Sequence, residues 1–269
     1  MSWIEGVILG IIQGLTEFLP VSSSGHLTIV GTLFGLEGKD NMVFAIMVHF
    51  ATILSTIVVL WKEVTGLFKG LFAFRWNDET KMVSKLLLSM IPIAFVGLFF
   101  KDMVERFFGN GLLPVSLMLI ATAVILYLTV FHAVPDKKSD LSFLDALIIG
   151  IAQACAVAPG LSRSATTIAT GLFLGNQREQ VAKFSFLMVI VPVLGEAFLD
   201  VVKVFKGGDV SVFTSLPVGM MIGGFMAAFI SGVLACKWMI ELVKKGKLLY
   251  FMIYCCLLGL IVMFFAFRL

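Results

Sequence analysis

Residues 13–26 read QGLTEFLPVSSSGH. Apolar sequence flanks the stretch on both sides. It nevertheless holds an amide (Gln13), a carboxylate (Glu17), four hydroxyls (Thr16, Ser22, Ser23, Ser24) and an imidazole (His26). Such groups are costly at membrane depth, so inside apolar sequence they mark function. Pro20 divides the stretch, because proline disfavours helix at the residue before it, and a serine beyond it can cap a new helix. The pattern predicts one short helix over residues 3–19 and another reaching about Leu36. Each falls short of the roughly 20 residues a span needs. A re-entrant hairpin is therefore expected, entering and leaving on one face. Such broken backbone is tolerated where it is buried in protein or lines a cavity.

Residues 159–167 read PGLSRSATT and supply an arginine, Arg163. A shift of 140 positions relates the two stretches. At that shift Ile8, Gly10, Ile11, Gln13, Ser22, Ser24, Gly31 and Gly35 meet Ile148, Gly150, Ile151, Gln153, Ser162, Ser164, Gly171 and Gly175. Matching glycines and serines at one constant offset predict an internal repeat. Membrane proteins built this way place their site at the repeat interface.

The composition agrees. Of 269 residues, 59% are hydrophobic and 14% charged. Soluble domains carry about 45–50% apolar and about 25% charged residues. The chain reads as an all-α polytopic membrane protein forming a single domain over residues 1–269. One repeat half covers about 1–134 and the other about 141–269. The net charge is +3 with no long basic run, which excludes nucleic acid as an expected partner. Cys155, Cys236, Cys255 and Cys256 lie in apolar segments without metal spacing and read as small buried hydrophobes. The N-terminus lacks a basic leader and a small-residue cleavage site, so it does not read as a signal peptide.

Full-length spans are expected at about 42–61, 82–100 and 112–134, then at 184–203, 212–236 and 248–268. The second broken pair falls at about 141–158 and 161–175. Polar loops are expected over residues 62–81 and 237–247, with a short interfacial turn from Lys101 to Asn110. The plan comprises six spanning helices and two re-entrant hairpins. Each half crosses an odd number of times, so the halves are inverted and their tips can meet near the midplane.

Basic residues orient the chain. One face receives Lys62, Lys69, Arg75, Lys81, Lys137, Lys138, Arg178, Lys183, Lys237, Lys244, Lys245 and Lys247. The other receives Lys39, Lys101, Arg106, Lys203, Lys206 and Arg268. The richer face is expected in the cytoplasm. Both termini and the mouth of the first hairpin then face outward.

Helix N-termini favour anions and especially phosphate. Ser22–Ser24 and Ser162–Ser164 would supply two such ends, and Arg163 a fork of donors. Gln13 and Thr167 join these serines as candidate phosphate contacts, and capping is the alternative for Ser22, Ser24, Thr16 and Thr167. A diphosphate suits the pair of tips. His26 is a candidate general acid/base or nucleophile, and Ser23 a candidate nucleophile activated by it. Glu17 would orient His26, accept a proton, or hold a divalent cation jointly with phosphate. Gln153 reads as structural and His132 as packing or interface. His49 stays open, because its span follows the first tip. Glu196 and Asp200 find no role.

At these residues the sequence resembles the integral-membrane undecaprenyl-diphosphate phosphatase family, also linked to bacitracin resistance. Gln13–Glu17 and Phe18–His26 fit its motif [E/Q]-x-x-x-E followed by F-L-P-V-S-S-[ST]-G-H. Pro159, Gly160, Ser162, Arg163, Ser164 and Thr167 fit its second motif, P-G-x-S-R-S-x-x-T. Phe184-Ser185-Phe186 and Pro192 extend the likeness, which covers essentially the whole chain. Glu17, Ser23, His26 and Arg163 occupy the family's functional positions. Gln13 takes the neutral option, so that pair offers no two-carboxylate metal site. Ala45 stands where members often have an acid, and Ala165-Thr166 where Gly-Ala is common.

The resemblance implies hydrolysis of undecaprenyl diphosphate to the monophosphate and phosphate, recycling the carrier lipid for cell-wall synthesis. It also implies a bacterial plasma-membrane location, dependence on a divalent cation (Mg or Ca) with Glu17 as a ligand, and an outward-opening site. The expected partners are a polyprenyl diphosphate, the lipid bilayer and, for oligomerisation, a second copy in a homodimer. The rival is a transporter or flippase for a phosphorylated polyprenyl lipid, since inverted repeats and broken helices serve carriers too. The residues leave Ser23 and His26 as alternative nucleophiles.

Overall fold

The computed structural model describes residues 3–35, 39–100, 103, 111–135, 138, 140–195 and 217–268. Among these the regular structure is helical, apart from an isolated bridge between Lys138 and Asn176. The first broken pair is α1 (Trp3–Phe18) and α2 (Ser23–Leu33). Then come α3 (Lys39–Val59), α4 (Trp61–Phe72), α5 (Asp78–Phe99) and α6 (Leu112–His132). The second broken pair is α7 (Phe143–Cys155) and α8 (Arg163–Phe173). The chain continues with α9 (Arg178–Met188), α10 (Val218–Lys244) and α11 (Leu249–Ala266). By length and composition α5, α6, α10 and α11 can each cross a membrane, and the bent α3–α4 pair makes a fifth candidate. Their outer faces carry exposed Ile91, Leu117, Ile222 and Leu257, as a lipid-facing surface requires.

The structure corrects several boundaries. Residues 61–72 are not loop. The helix breaks at Leu60, turns by 81° and continues as α4. Lys62 and Lys69 alternate there with Trp61, Phe68 and Phe72, so an amphipathic helix forms where charge alone suggested a loop. The second lysine-rich segment is also mostly helix. α10 runs on through Lys244 because Cys236, Met239 and Val243 keep its inner stripe buried while the lysines face away. Where a span is expected over residues 184–203, α9 starts earlier, at Arg178, and ends before a break at Val189, and it is not among the described helices long and apolar enough to cross a membrane. Residues 196–216, with Glu196 and Asp200, lie outside the described residues. So do residues 36–38 and, apart from Met103, the turn expected at Lys101–Asn110. Cys236 and Cys255 are buried as expected, but Cys155 is exposed. An apolar residue sits as easily against lipid as against protein.

Two close helix contacts set the frame. α1 packs along α10, and α7 along α5. A side chain at Gly10 would collide with the carbonyl of Gly224, and one at Gly150 with the backbone of Ser89. Gly10 and Gly150 are partners under the 140-position shift, so equivalent helices approach their neighbours through equivalent glycines. Small residues let backbones meet closely, which membrane helices need because lipid supplies no hydrophobic drive between them. Phe18, fully buried at the end of α1, packs edge-on against Phe186 of α9 at 5.4 Å between ring centroids. That contact fixes the first tip against the second half of the chain.

Candidate active site

The two tips are built alike. After α1, Pro20 ends the helix and the chain turns through Leu19–Val21. Ser22 then caps α2, accepting from the Gly25 N–H at 3.2 Å. In the second half Ser162 caps α8, accepting from the Ala165 N–H at 3.2 Å. Ser22 and Ser24 hydroxyls lie 3.3 Å apart, and Ser162 and Ser164 hydroxyls 3.2 Å apart. Each tip also holds a left-handed residue, Ser22 at φ 70° and Gly160 at φ 94°. For a serine that conformation is strained, a feature that clusters at functional sites. At Gly160 a side chain would also strike the Val115 carbonyl.

The tips touch. The Gly160 N–H donates to Ser24 Oγ at 3.4 Å, and Ser164 Oγ donates to the Leu19 carbonyl at 3.2 Å. This places Arg163, the first residue of α8, beside Glu17 near the end of α1. Arg163 Nη2 donates to Glu17 Oε1 at 2.6 Å, and Nη1 donates to the Ser185 carbonyl at 3.1 Å. Glu17 Oε2 accepts from Ser23 Oγ at 2.8 Å and from Gln13 Nε2 at 3.0 Å. His49 Nε2 lies 3.7 Å from the same oxygen. Glu17 is 9% exposed, so its charge is compensated by Arg163 and by the Ser23 and Gln13 donors rather than by solvent.

A cavity of ≈ 270 Å³ opens over this network. Glu17, Ser22, Ser23, Ser24, Ser162, Arg163 and Ser164 line it, with Thr16, His49 and Gln153. Ile93, Val189 and Val193 supply apolar wall. A hydroxyl on a carboxylate, an arginine and two helix N-termini facing one cavity can bind a phosphorylated group and stabilise charge developing on it.

Gln13 and Thr167 stand one layer behind the lining. Gln13 supports Glu17. Thr167 Oγ1 donates to the Arg163 carbonyl at 2.9 Å and meets Ser185 Oγ at 2.6 Å. His26 departs from expectation. Its Nδ1 faces the Ser22 carbonyl at 2.8 Å, and its Nε2 faces the Tyr254 hydroxyl at 2.6 Å. The carbonyl can only accept, so Nδ1 carries the proton and Nε2 accepts from the tyrosine. Both ring nitrogens are thus engaged away from Ser23 and Glu17. The helix turns His26 toward α11, so the serine's partner is Glu17, and Glu17 does not orient the imidazole.

Four contributors went unassigned from sequence. Gln153, the repeat partner of Gln13, reads from sequence as structural, and His49 stays open there because its span follows the first tip. Ser185 lay in the Phe184-Ser185-Phe186 likeness without a role for its carbonyl, and Tyr254 had no local signal. Among the described residues no group of three or more His, Cys, Asp and Glu comes together to hold a metal. Arg163 already occupies Glu17 Oε1. Ser23 and Gln13 occupy Oε2, so the carboxylate that the resemblance offers to a divalent cation is already engaged by protein donors at both oxygens, and the described residues form no cage of their own.

A model of the family described as bacitracin resistance protein BacA matches residues 6–261. The chain is 60% identical over 261 residues to an undecaprenyl-diphosphatase of Parabacteroides distasonis, covering 97% of each chain. It is 58% identical over 262 residues to an undecaprenyl-diphosphatase of Bacteroides thetaiotaomicron, covering 97% of this chain and 98% of that one. A more distant relative bearing the same name, from Methanobrevibacter smithii, is 38% identical over 279 residues, covering 97% of each.

Proposed function

The chain belongs to the bacitracin resistance protein BacA family, and from that premise we propose that it hydrolyses undecaprenyl diphosphate to undecaprenyl phosphate and inorganic phosphate. The observation that carries the reading is Ser23 Oγ on Glu17 Oε2, with Arg163 on Oε1, at the floor of one cavity. A carrier needs donors for an anion, but it has no use for a hydroxyl held on a carboxylate.

In the proposed reaction the diphosphate enters with its terminal phosphoryl group over Ser23. Ser23 Oγ attacks the terminal phosphorus, and the bond to the bridging oxygen breaks. Undecaprenyl phosphate departs with that electron pair. The Ser23 proton passes through Glu17 to the departing phosphate. Water then attacks the phosphoserine, releasing inorganic phosphate, and one of its protons returns to Ser23 through the same carboxylate. The remaining N–H donors of Arg163 and the two helix N-termini stabilise the phosphoryl oxygens, the main catalytic demand of this chemistry. A divalent cation (Mg or Ca), held by Glu17 and the substrate, would neutralise diphosphate charge.

The proposed architecture is a single plasma-membrane domain of six spans and two re-entrant hairpins, with inverted halves. The matched serine caps, the matched glycines and the crosswise α1–α10 and α7–α5 contacts support it. On the basic-residue count, both termini and the cavity mouth face outward.

Phosphate release from a long-chain polyprenyl diphosphate by purified protein in detergent tests the reading. Wild type releases phosphate, while Glu17→Gln and Arg163→Ala do not. Folded wild-type protein that binds the lipid and releases nothing, with or without Mg or Ca, would return the carrier alternative.

A further inference from the structure

Gln153 is 1% exposed and lines the cavity, yet neither its Nε2 nor its Oε1 has a hydrogen-bond partner in the protein. Buried polar side chains are nearly always satisfied, and one that is not calls for an explanation. The repeat supplies one. Its partner Gln13 places Nε2 on Glu17, four residues along the same helix. Four residues after Gln153 stands Val157, which offers no acceptor. The second half thus retains the amide but lacks the carboxylate that would occupy it.

Resting on the hydrolase reading, we propose that Gln153 contacts the substrate directly, its amide N–H donating to a non-bridging oxygen of the diphosphate. The amide brings a donor without adding charge to a cavity that already holds Arg163. It approaches from the second half, whereas Ser23 and Glu17 belong to the first. Its Oε1 is an acceptor for a phosphate hydroxyl or a water beside the group.

The test uses full-length wild type, Gln153→Leu and Gln153→Glu in detergent. Three readouts are taken: kcat and KM for a polyprenyl diphosphate, calorimetric affinity for inorganic diphosphate, and Tm. A hydrogen bond to a charged group sets the expected loss in Gln153→Leu at about ten- to a hundredfold in kcat/KM, with weaker diphosphate binding. Its Tm holds or rises, because an unsatisfied buried amide has been replaced by an apolar group of similar size. Gln153→Glu binds diphosphate more weakly still, since two anions then face each other. Wild-type KM and diphosphate affinity in Gln153→Leu would overturn the proposal. So would losses in both that track a fall in Tm, which would assign Gln153 to packing. If wild type binds inorganic diphosphate but releases no phosphate from the lipid, the hydrolase reading fails, and the binding comparison still decides Gln153.

Discussion

Arg163 Nη2 and Glu17 Oε1 lie 2.6 Å apart, an ion pair between helices from opposite halves of the chain. The Glu17 side chain is 8% exposed and that of Arg163 17%. Removing one member of such a pair leaves the other charge uncompensated in a poorly solvated place.

Arg163→Ala should therefore lose both activity and stability. Loss of a charge-stabilising donor predicts at least about a hundredfold fall in phosphate release. The double variant Glu17→Gln with Arg163→Met should recover thermal stability relative to Arg163→Ala while staying inactive. A double-mutant cycle on Tm and on phosphate release separates the two effects.

Ser23 and His26 should differ in kind. Ser23→Ala removes the hydroxyl held on Glu17 and should abolish turnover, with little change in Tm. Tyr254→Phe removes one hydrogen bond to His26 and should keep phosphate release within about tenfold of wild type, since such a bond contributes about 1 kcal/mol net. His26→Ala should fall between them. If Ser23→Ala turns over at the wild-type rate, Ser23 is not the nucleophile.

Gly10→Val and Gly150→Val should destabilise alike, because each forces a helix off a partner backbone. Overpacking of this sort costs about 1–3 kcal/mol, read as a lowered Tm for both variants. A fall at one position only would argue against equivalent roles.

Chelation should act on catalysis and not on the fold. With no group of three acidic, histidine or cysteine ligands among the described residues, EDTA should leave Tm unchanged. Phosphate release should fall on chelation and return with added Mg or Ca. A Tm that drops in EDTA would point to a resident ion.

Much of the helical plan was legible because proline, glycine and serine act locally. Pro20 and the serines after it mark the first break, and Pro159-Gly160 with Ser162 marks the second. The charged segments were less legible. A lysine count alone does not separate a loop from an amphipathic helix, as α4 and the end of α10 demonstrate. Cys155 illustrates the same limit for burial, since exposed and core positions in such a chain carry the same apolar residues.

The sequence by itself determined the family, and it singled out Glu17, Ser23 and Arg163 as candidates, because motif spacing and the 140-position repeat are properties of the chain order. Only the tertiary structure decided the partners. Glu17 and Arg163 stand 146 positions apart, and His26 and Tyr254 stand 228 apart. No local pattern encodes which of two neighbouring side chains a helix turns toward a cavity. That choice follows from how α1 seats on α10 and how the two tips interlock. It set Ser23 on Glu17, turned His26 away toward α11, and left the buried Gln153 amide beside the cavity without a protein partner.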